Sequence, residues 1–253
     1  MGLAVTILGS GTSIPHPERR PPAFVVTRGD CSLMIDCGAG STTGLARAGV
    51  GLDRLSALAL THFHLDHTAE LSALLFALRN PAHAARHADL PIFGPPGTAE
   101  LLDKLEGVYG SWVTARGFAL HVHAVRDREL FAVGPLRVTP FRVEHTAQSF
   151  AYRVEADGKV VTFSGDSAPC DALVEAARDA DLFVCECGAL AGERIAHMTA
   201  QDVGAAAARA GCKQVVLTHL YERITAADPL RDVRRHFDGP ARVAFDDMRF
   251  EAR

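Results

Sequence analysis

Four metal-binding side chains fall within six positions in the segment Thr-His-Phe-His-Leu-Asp-His at 61–67. Residues two apart in an extended segment point to the same side. His62, His64 and Asp66 therefore share one side, and His67 can join them as the chain turns. Imidazole and carboxylate ligands together suit zinc or a similar divalent cation. A polar loop that holds several unrelated histidines is the weaker interpretation, because this order of residues rarely arises by chance.

The elements that must position this cluster alternate along the chain. Short apolar runs predict strands at 3–8, 22–27, 31–36, 57–60, 90–93, 119–125, 130–132, 136–143, 150–155, 159–164, 182–186, 214–218 and 242–245. Helical patterns cover 40–48, 67–79, 97–107, 169–178, 199–210 and 228–236. Strands cluster in both halves with helices between them, which indicates two sheets packed face to face with helices outside. No linker or charge run divides the chain, so we expect a single domain over 1–253.

The motif His-x-His-x-Asp-His is the signature of the metallo-β-lactamase superfamily, which the chain resembles along nearly its whole length. The resemblance implies an α/β fold, a four-layer αββα sandwich of two mixed β-sheets flanked by helices. It also implies three more metal ligands in a fixed order. The chain has a candidate for each: His145 at a strand end, Asp166 in a small-residue turn, and His219 after another apolar strand.

Seven ligands are more than one tetrahedral ion can use, but two metals that share a ligand can use them all. The resemblance assigns His62, His64 and His145 to the first metal, Asp66, His67 and His219 to the second, and Asp166 to a bridge between them. We expect two divalent cations, zinc by default, with Mn²⁺ or Fe²⁺ as alternatives. Such a pair can share a hydroxide nucleophile, since a metal lowers the pKa of bound water to about 7. Asp66 is also expected to orient this hydroxide and take its proton.

Asp36 is expected to support the ligands from behind. It ends a predicted strand in Asp-Cys-Gly-Ala-Gly, and the resemblance implies that it braces the first metal-binding loop. A ligating histidine usually donates its second N–H to such an acceptor. The alternative is an aspartate that only stabilises its own turn.

His197 is expected to be a catalytic residue. It precedes Thr199, a good helix N-cap, with Asp202 three residues later as an imperfect capping box. Helix N-termini favour anions, so a histidine here can donate to a phosphate oxygen or protonate a leaving oxygen. A surface histidine near a cap is the alternative. The pattern is similar to the branch that contains ribonuclease Z, where the matching histidine is catalytic or contacts substrate.

Other segments also resemble the ribonuclease Z and phosphodiesterase branch, with two departures. Ile92–Gly97 fits it, and so does Phe245-Asp246-Asp247-Met248, although that branch usually has Asp-Gly here. Enzymes that process tRNA usually carry a long arm between the lone histidine and the bridging aspartate. Only one hairpin fits between His145 and Asp166 in this chain. The net charge of −4 and pI of about 6.3 also provide no global attraction for RNA.

We therefore predict a phosphodiesterase that acts on a small or nucleotide-derived phosphodiester, with RNA a less expected partner. Three alternatives stay open: tRNA 3′-end processing without the arm, hydrolysis of a lactone, ester or β-lactam, and a metal-binding sensor without catalysis. The sensor is disfavoured because every ligand and His197 are present. The related nucleases suggest a homodimer.

The remaining sequence features predict a cytoplasmic protein. The sequence has no stretch of eighteen or more apolar residues, so we expect no membrane span. The N-terminus lacks the basic region of a signal peptide. The six cysteines are expected to be free thiols in a reducing compartment. His121 and His123 are expected on an ordinary strand face. His83 and His87 are spaced for one helix face but lack the glutamate of a zinc-binding helix.

Overall fold

The computed structural model describes residues 2–80, 88–193 and 195–252. His83 and His87 lie outside the described residues. The described residues form two seven-stranded sheets. The first sheet contains β1 (Ala4–Gly9), β2 (Ala23–Arg28), β3 (Cys31–Ile35), β4 (Ala57–Ala59), β5 (Leu90–Gly94), β6 (Leu120–Ala124) and β14 (Arg249–Glu251). The second contains β7 (Phe131–Val133), β8 (Leu136–Arg142), β9 (Phe150–Ala156), β10 (Lys159–Phe163), β11 (Leu182–Glu186), β12 (Val215–Thr218) and β13 (Ala241–Val243).

The helices lie between these strands in the chain. They are α1 (Ser41–Arg47), α2 (Leu65–Thr68), α3 (Leu71–Leu78), α4 (Thr98–Tyr109), α5 (Asp171–Ala176), α6 (Ala200–Ala210), α7 (Glu222–Ala226) and α8 (Pro229–Val233). Short 3₁₀ turns cover Leu52–Arg54 and Gly110–Val113. Among the described residues, none of these helices combines the length and the apolar character that crossing a bilayer requires.

Both sheets are mixed, and the two have matching layouts. The first has the order β14-β1-β2-β3-β4-β5-β6, in which β3 to β6 run parallel. The second has the order β13-β12-β11-β10-β9-β8-β7, in which β10 to β13 run parallel. The carboxyl ends of parallel neighbours meet at one edge of a sheet, so each sheet offers one edge at which loops can converge.

Three apolar layers hold the four-layer αββα sandwich together, which confirms the predicted fold class. Strand β11 shows how the sequence achieves this. Leu182 and Val184 face the layer between the two sheets, whereas Phe183 and Cys185 face the layer beneath α5 and α6. Because side chains alternate along a strand, an unbroken apolar run buries both faces.

The structure differs from the predicted elements in three places. The predicted helix 67–79 is two helices, because the Glu70 N–H donates to Cys37 O instead of continuing the helix, and the Glu70 carboxylate accepts from Gly40 N–H and Thr42. The prediction also missed α7 and β14, which are too short to show a periodic pattern.

A tight turn at Asp157-Gly158 closes the one hairpin expected between His145 and Asp166. Both residues have positive φ, 55° for Asp157 and 71° for Gly158. A two-residue turn with positive φ at both positions matches the twist of the antiparallel strands that it joins. This tight turn connects β9 to β10, and those strands are the entire regular structure between His145 and Asp166.

Candidate metal centre

The candidate ligands converge at the strand ends of both sheets. His62 and His64 follow β4 in the first sheet, and Asp66 and His67 lie in α2 directly after them. The other three follow strands of the second sheet. His145 comes after β8, Asp166 after β10 and His219 after β12. Loops from both sheets therefore build the site.

The seven side chains form two groups that meet at Asp166. In the first group, ligand atoms of His62, His64, His145 and Asp166 all lie within 4.8 Å of one another. In the second, ligand atoms of Asp66, His67 and His219 do the same. Asp166 lies between the groups, with Oδ2 3.7 Å from His62 Nε2 and from His145 Nε2, and 3.4 Å from His219 Nε2. The structure thus brings together all seven predicted ligands in two sets.

The donor set fits divalent cations. His62 Nε2, His67 Nε2 and Asp166 Oδ1 are buried and make no hydrogen bond with any described residue. A buried polar atom without a hydrogen-bond partner costs free energy. Several such atoms pointing into one space indicate a binding site for a cation. Imidazole nitrogens and a carboxylate are ligands that zinc and related ions accept. The three atoms are therefore explained if cations lie among them.

Protonation of the cluster supports the same conclusion. Burial, and then the neighbouring His67, lower the pKa of His62 to about 2, so its ring is neutral and free to ligate. Burial opposes charge on His67, but Asp166 and Asp36 raise its pKa well above its ordinary value. Burial also opposes ionisation of Asp166, yet His219 and His67 hold its pKa well below its usual range. Without metal, positive charge on neighbouring imidazoles favours the ionised Asp166 carboxylate. Bound metal ions would supply that positive charge instead.

Asp36 lies directly behind the ligands. Its fully buried carboxylate accepts a hydrogen bond from the His67 Nδ1–H at 2.7 Å and from the Thr61 N–H at 2.8 Å. Thr61 Oγ1 in turn lies 3.0 Å from His62 Nδ1. Asp36 therefore fixes the ring of His67 with Nε2 towards the cluster, which is the contact that its expected bracing role requires.

Two residues of the site have strained backbones. Asp36 has a φ of 58° and His219 a φ of 55°, in the left-handed region that side chains with a Cβ rarely adopt. Such strain concentrates at functional sites, where surrounding contacts maintain it. The Leu220 N–H donates to Ser10 O at 3.3 Å, so the turn after β1 helps to hold the His219 backbone in place.

His197 lies beside the second group, with a partner that the sequence analysis missed. A ring nitrogen of His197 lies within 4.8 Å of ligand atoms of Asp166 and His219. Its Nδ1–H donates to Glu186 Oε1 at 2.8 Å. Glu186 is 1% exposed and also accepts the backbone N–H groups of Ser167, Met198 and Gly188. Glu186 ends the apolar strand β11, and no local pattern in the sequence marks its contact with His197.

Glu186 controls the charge of His197. Burial lowers the pKa of His197, but the hydrogen bond and charge of Glu186 outweigh this effect and leave the pKa above its ordinary value. The ring follows Ala196, whose carbonyl accepts from the His145 Nδ1–H at 2.8 Å. The same loop thus positions His197 and, through the Ala196 carbonyl, the candidate ligand His145.

Helix α6 begins next to this loop as predicted. Thr199 Oγ1 accepts the Asp202 N–H at 3.2 Å, and Asp202 Oδ2 accepts the Thr199 N–H at 3.1 Å. The capping box that the sequence suggested is therefore complete. It fixes the N-cap of the helix two residues after His197.

Comparison with known proteins assigns the family. A family model described as a β-lactamase superfamily domain matches residues 32–220, which include all seven candidate ligands. The chain belongs to the metallo-β-lactamase superfamily. It is 33% identical over 243 residues to a protein named ribonuclease Z from Mycobacterium bovis strain BCG, with 86% of this chain and 85% of the relative covered. This places it in the ribonuclease Z-like branch as a metal-dependent hydrolase.

Solved structures show the same fold. The metallo-β-lactamase fold protein YhfI from Bacillus subtilis is 25% identical and superposes with a TM-score of 0.88, covering 99% of this chain and 100% of that one. The short form of human tRNase Z is 23% identical with a TM-score of 0.80, and 99% of each chain is covered. The fold and the donor set together imply divalent metal ions.

Proposed function

We propose that this hydrolase cleaves small or nucleotide-derived phosphodiesters at a pair of zinc ions. The observation that carries the proposal is His197, held by the buried Glu186 beside the bridging position of Asp166. An imidazole that a carboxylate positions next to a metal pair suits a reaction in which an alkoxide oxygen leaves and needs a proton.

The metal pair and the protein have separate tasks in this proposal. Bound divalent cations supply an activated water and neutralise charge on the phosphoryl oxygens. His62, His64 and His145 would hold one cation, Asp66, His67 and His219 would hold the other, and Asp166 would contribute to both. Asp36 keeps the ring of His67 in its ligating orientation through the 2.7 Å hydrogen bond.

Asp66 and His197 carry the proton transfers. The Asp66 carboxylate, 3.4 Å from His219 Nε2 and partly open to the cleft, orients the attacking water and accepts its proton. His197 stands near Asp166 and His219 on the side of the second group and donates its proton to the leaving oxygen. Glu186 raises the pKa of His197 against the effect of burial, which favours the protonated form that the proposed acid requires.

The short chain segment between His145 and Asp166 supports a compact substrate. Only the β9–β10 hairpin lies there, closed by the tight turn at Asp157-Gly158. The chain thus has no projecting arm in this interval, all of which the structure describes. A long RNA would need phosphate contacts well away from the cleft.

A second candidate is processing of tRNA 3′ ends. The observation that favours it is the 33% identity to a protein named ribonuclease Z over most of both chains. Both candidates use phosphodiester chemistry and the same residues. They differ in how much of the substrate the protein must hold outside the cleft.

A substrate panel tests the proposal. The zinc-loaded protein is expected to hydrolyse bis(p-nitrophenyl) phosphate and cyclic nucleotides, and to leave nitrocefin and simple lactones intact. Accurate cleavage of a precursor tRNA at a rate above that of the small diesters would instead favour the second candidate. Turnover of nitrocefin or a lactone alone would point to acyl chemistry, and turnover of none of these compounds would favour a metal-binding sensor.

The zinc ions, the homodimer and the cytoplasmic location are predictions, each tested by a separate experiment. Zinc suits the nitrogen-rich donor set, and manganese or iron would fit a site with two carboxylates. Elemental analysis of protein purified without added metal decides among them. The expected homodimer is tested by light scattering on the eluting protein, and the expected cytoplasmic location by cell fractionation.

A further inference from the structure

A second cavity lies at the end of the molecule opposite the metal centre. It has a volume of about 570 Å³ and is lined by residues that include Asp181, Lys213, Gln214, Arg242, Arg249 and Phe250. Asp181 immediately precedes β11, and Gln214 immediately precedes β12. The metal ligand His219 follows the other end of β12. The length of the second sheet's strands therefore separates the cavity from the reaction site.

Arginines from the two sheets face this cavity. Arg242 lies in β13, at the edge of the second sheet, and Arg249 lies in β14, at the edge of the first. Both are exposed, and neither forms an ion pair or side-chain hydrogen bond with another described residue. Two guanidinium groups that share a wall repel each other unless an anion lies between them.

The acidic residues of the wall do not supply that anion. The buried Asp181 carboxylate accepts the Val160 N–H at 2.8 Å and Lys213 Nζ at 2.8 Å, and Lys159 Nζ lies 3.5 Å away. Two lysines thus compensate it. Glu251 also lines the cavity but forms no ion pair within the described part of the chain. The wall keeps a local excess of positive charge in a protein whose net charge is −4.

We propose that this cavity binds an anion that carries a phosphate group and is no larger than a nucleotide, held between Arg242 and Arg249. The planar guanidinium group donates two parallel hydrogen bonds to phosphate oxygens, so a pair of arginines suits this ligand better than a pair of lysines. The volume lies within the range of about 300–1,000 Å³ typical of small-molecule sites. The site is independent of the proposed phosphodiesterase activity.

Amide chemical shifts can separate this site from the metal centre. Inorganic phosphate, and then AMP, are titrated into isotopically labelled, zinc-loaded protein. The backbone amides of Gln214 and Phe250 report on the cavity, and the amide of Gly165, next to Asp166, reports on the metal centre. We expect saturable shifts of Gln214 and Phe250 with both probes, with an affinity different from that seen at Gly165.

Two variants give the test a matched control. Arg242→Gln with Arg249→Gln removes both guanidinium groups, and the affinity reported by Gln214 is expected to fall at least about tenfold. Arg137→Gln removes an exposed arginine of β8 that lies outside the cavity, and the affinity is expected to stay unchanged. An unchanged Gly165 response in both variants shows that they remain folded.

Three results would overturn the proposal. One is the absence of saturable shifts at Gln214 and Phe250 with phosphate. Another is an equal affinity in wild-type protein and the double variant. The third is an equal loss in the Arg137→Gln protein, which would show that general charge, and not the cavity, governs binding. A lack of phosphodiesterase activity would leave all three measurements valid.

Discussion

At the scale of single residues, the proposal assigns metal binding and proton donation to different side chains. Asp166 lies between the two groups of candidate ligand atoms, whereas the Nδ1–H of His197 is donated to Glu186. A ligand and a proton donor can therefore be tested by different measurements. Metal content reports on the first role and turnover on the second.

His197→Ala is expected to lower kcat by about 10²–10⁴-fold, the usual contribution of a positioned general acid. Metal content, measured by elemental analysis, should stay as in the wild type, because the seven proposed ligands are intact. Asp166→Ala should instead lose metal, since it removes the carboxylate whose Oδ2 lies 3.7 Å from His62 Nε2 and 3.4 Å from His219 Nε2. Equal metal loss in both variants would contradict the assigned roles.

Glu186→Gln is expected to shift the alkaline limb of the kcat/KM pH profile to lower pH. Glu186 raises the pKa of His197 against the opposing effect of burial. An acid is active while it is protonated, so activity falls as pH rises through its pKa. Loss of the Glu186 charge lowers that pKa, and the fall should begin at a lower pH. A lower plateau with an unmoved limb would show that Glu186 has only a structural role.

The sequence predicted the seven residues that converge at the site, but it did not predict Glu186. The seven ligands follow a fixed order of motifs, each with its own local context at a strand end. Glu186 instead ends the apolar run Leu-Phe-Val-Cys-Glu, which predicts a strand and nothing more. Its contact with His197 depends on a loop that returns over the strand end, and no local pattern shows that return.

At the scale of helices and strands, unusual backbone conformations account for residues that secondary-structure propensity does not explain. Asp247 stands where the ribonuclease Z-like branch usually has glycine. Its φ is 66°, which explains why glycine suits this position. Aspartate tolerates this region better than most side chains. Its carboxylate pairs with Arg20 and Arg47, so the departure from the family pattern is accommodated locally.

Strand and helix cores were predictable because their patterns are strong, and the short elements were not. The alternation in β11 and the capping box at Thr199 each determine local structure without help from distant residues. Strand β14 has three residues and exists only because it pairs with β1 across the whole length of the chain. Tertiary pairing of this kind leaves no mark in a local window.

Gly204→Ala in α6 is expected to destabilise the fold by about 1–3 kcal/mol, although alanine favours helices. A Cβ at this position would lie 2.5 Å from Val233 O, because α6 and α8 pack closely there. Urea unfolding measures the change. Gly107→Ala in α4 is the matched control, since its Cβ would meet no atom within 4 Å. That variant should gain about 0.5–1 kcal/mol. Stabilisation in both would mean that α6 and α8 can separate at little cost.

At the scale of the whole molecule, the metal centre connects the two sheets. Four candidate ligands follow β4 of the first sheet, and three come from strand ends of the second. The two sheets also meet through the apolar layer between them and through hydrogen bonds such as that from the Phe150 N–H to Thr61 O at 3.0 Å. Bound cations would thus cross-link loops that have no other polar connection as strong as a coordinate bond.

Removal of metal by a chelator should therefore lower the melting temperature by about 5–10 °C. A ligand present at a hundred times its Kd stabilises the folded state by about 2.7 kcal/mol, and each kcal/mol shifts the melting temperature of a chain of this size by about 2–4 °C. Calorimetry of zinc-loaded and chelated protein measures the difference. Asp166→Ala is the control, because a protein that cannot hold the metal pair should respond little to the chelator. A chelator effect of the same size in both proteins would mean that the stabilising metal binds elsewhere and does not cross-link the two sheets at the proposed site.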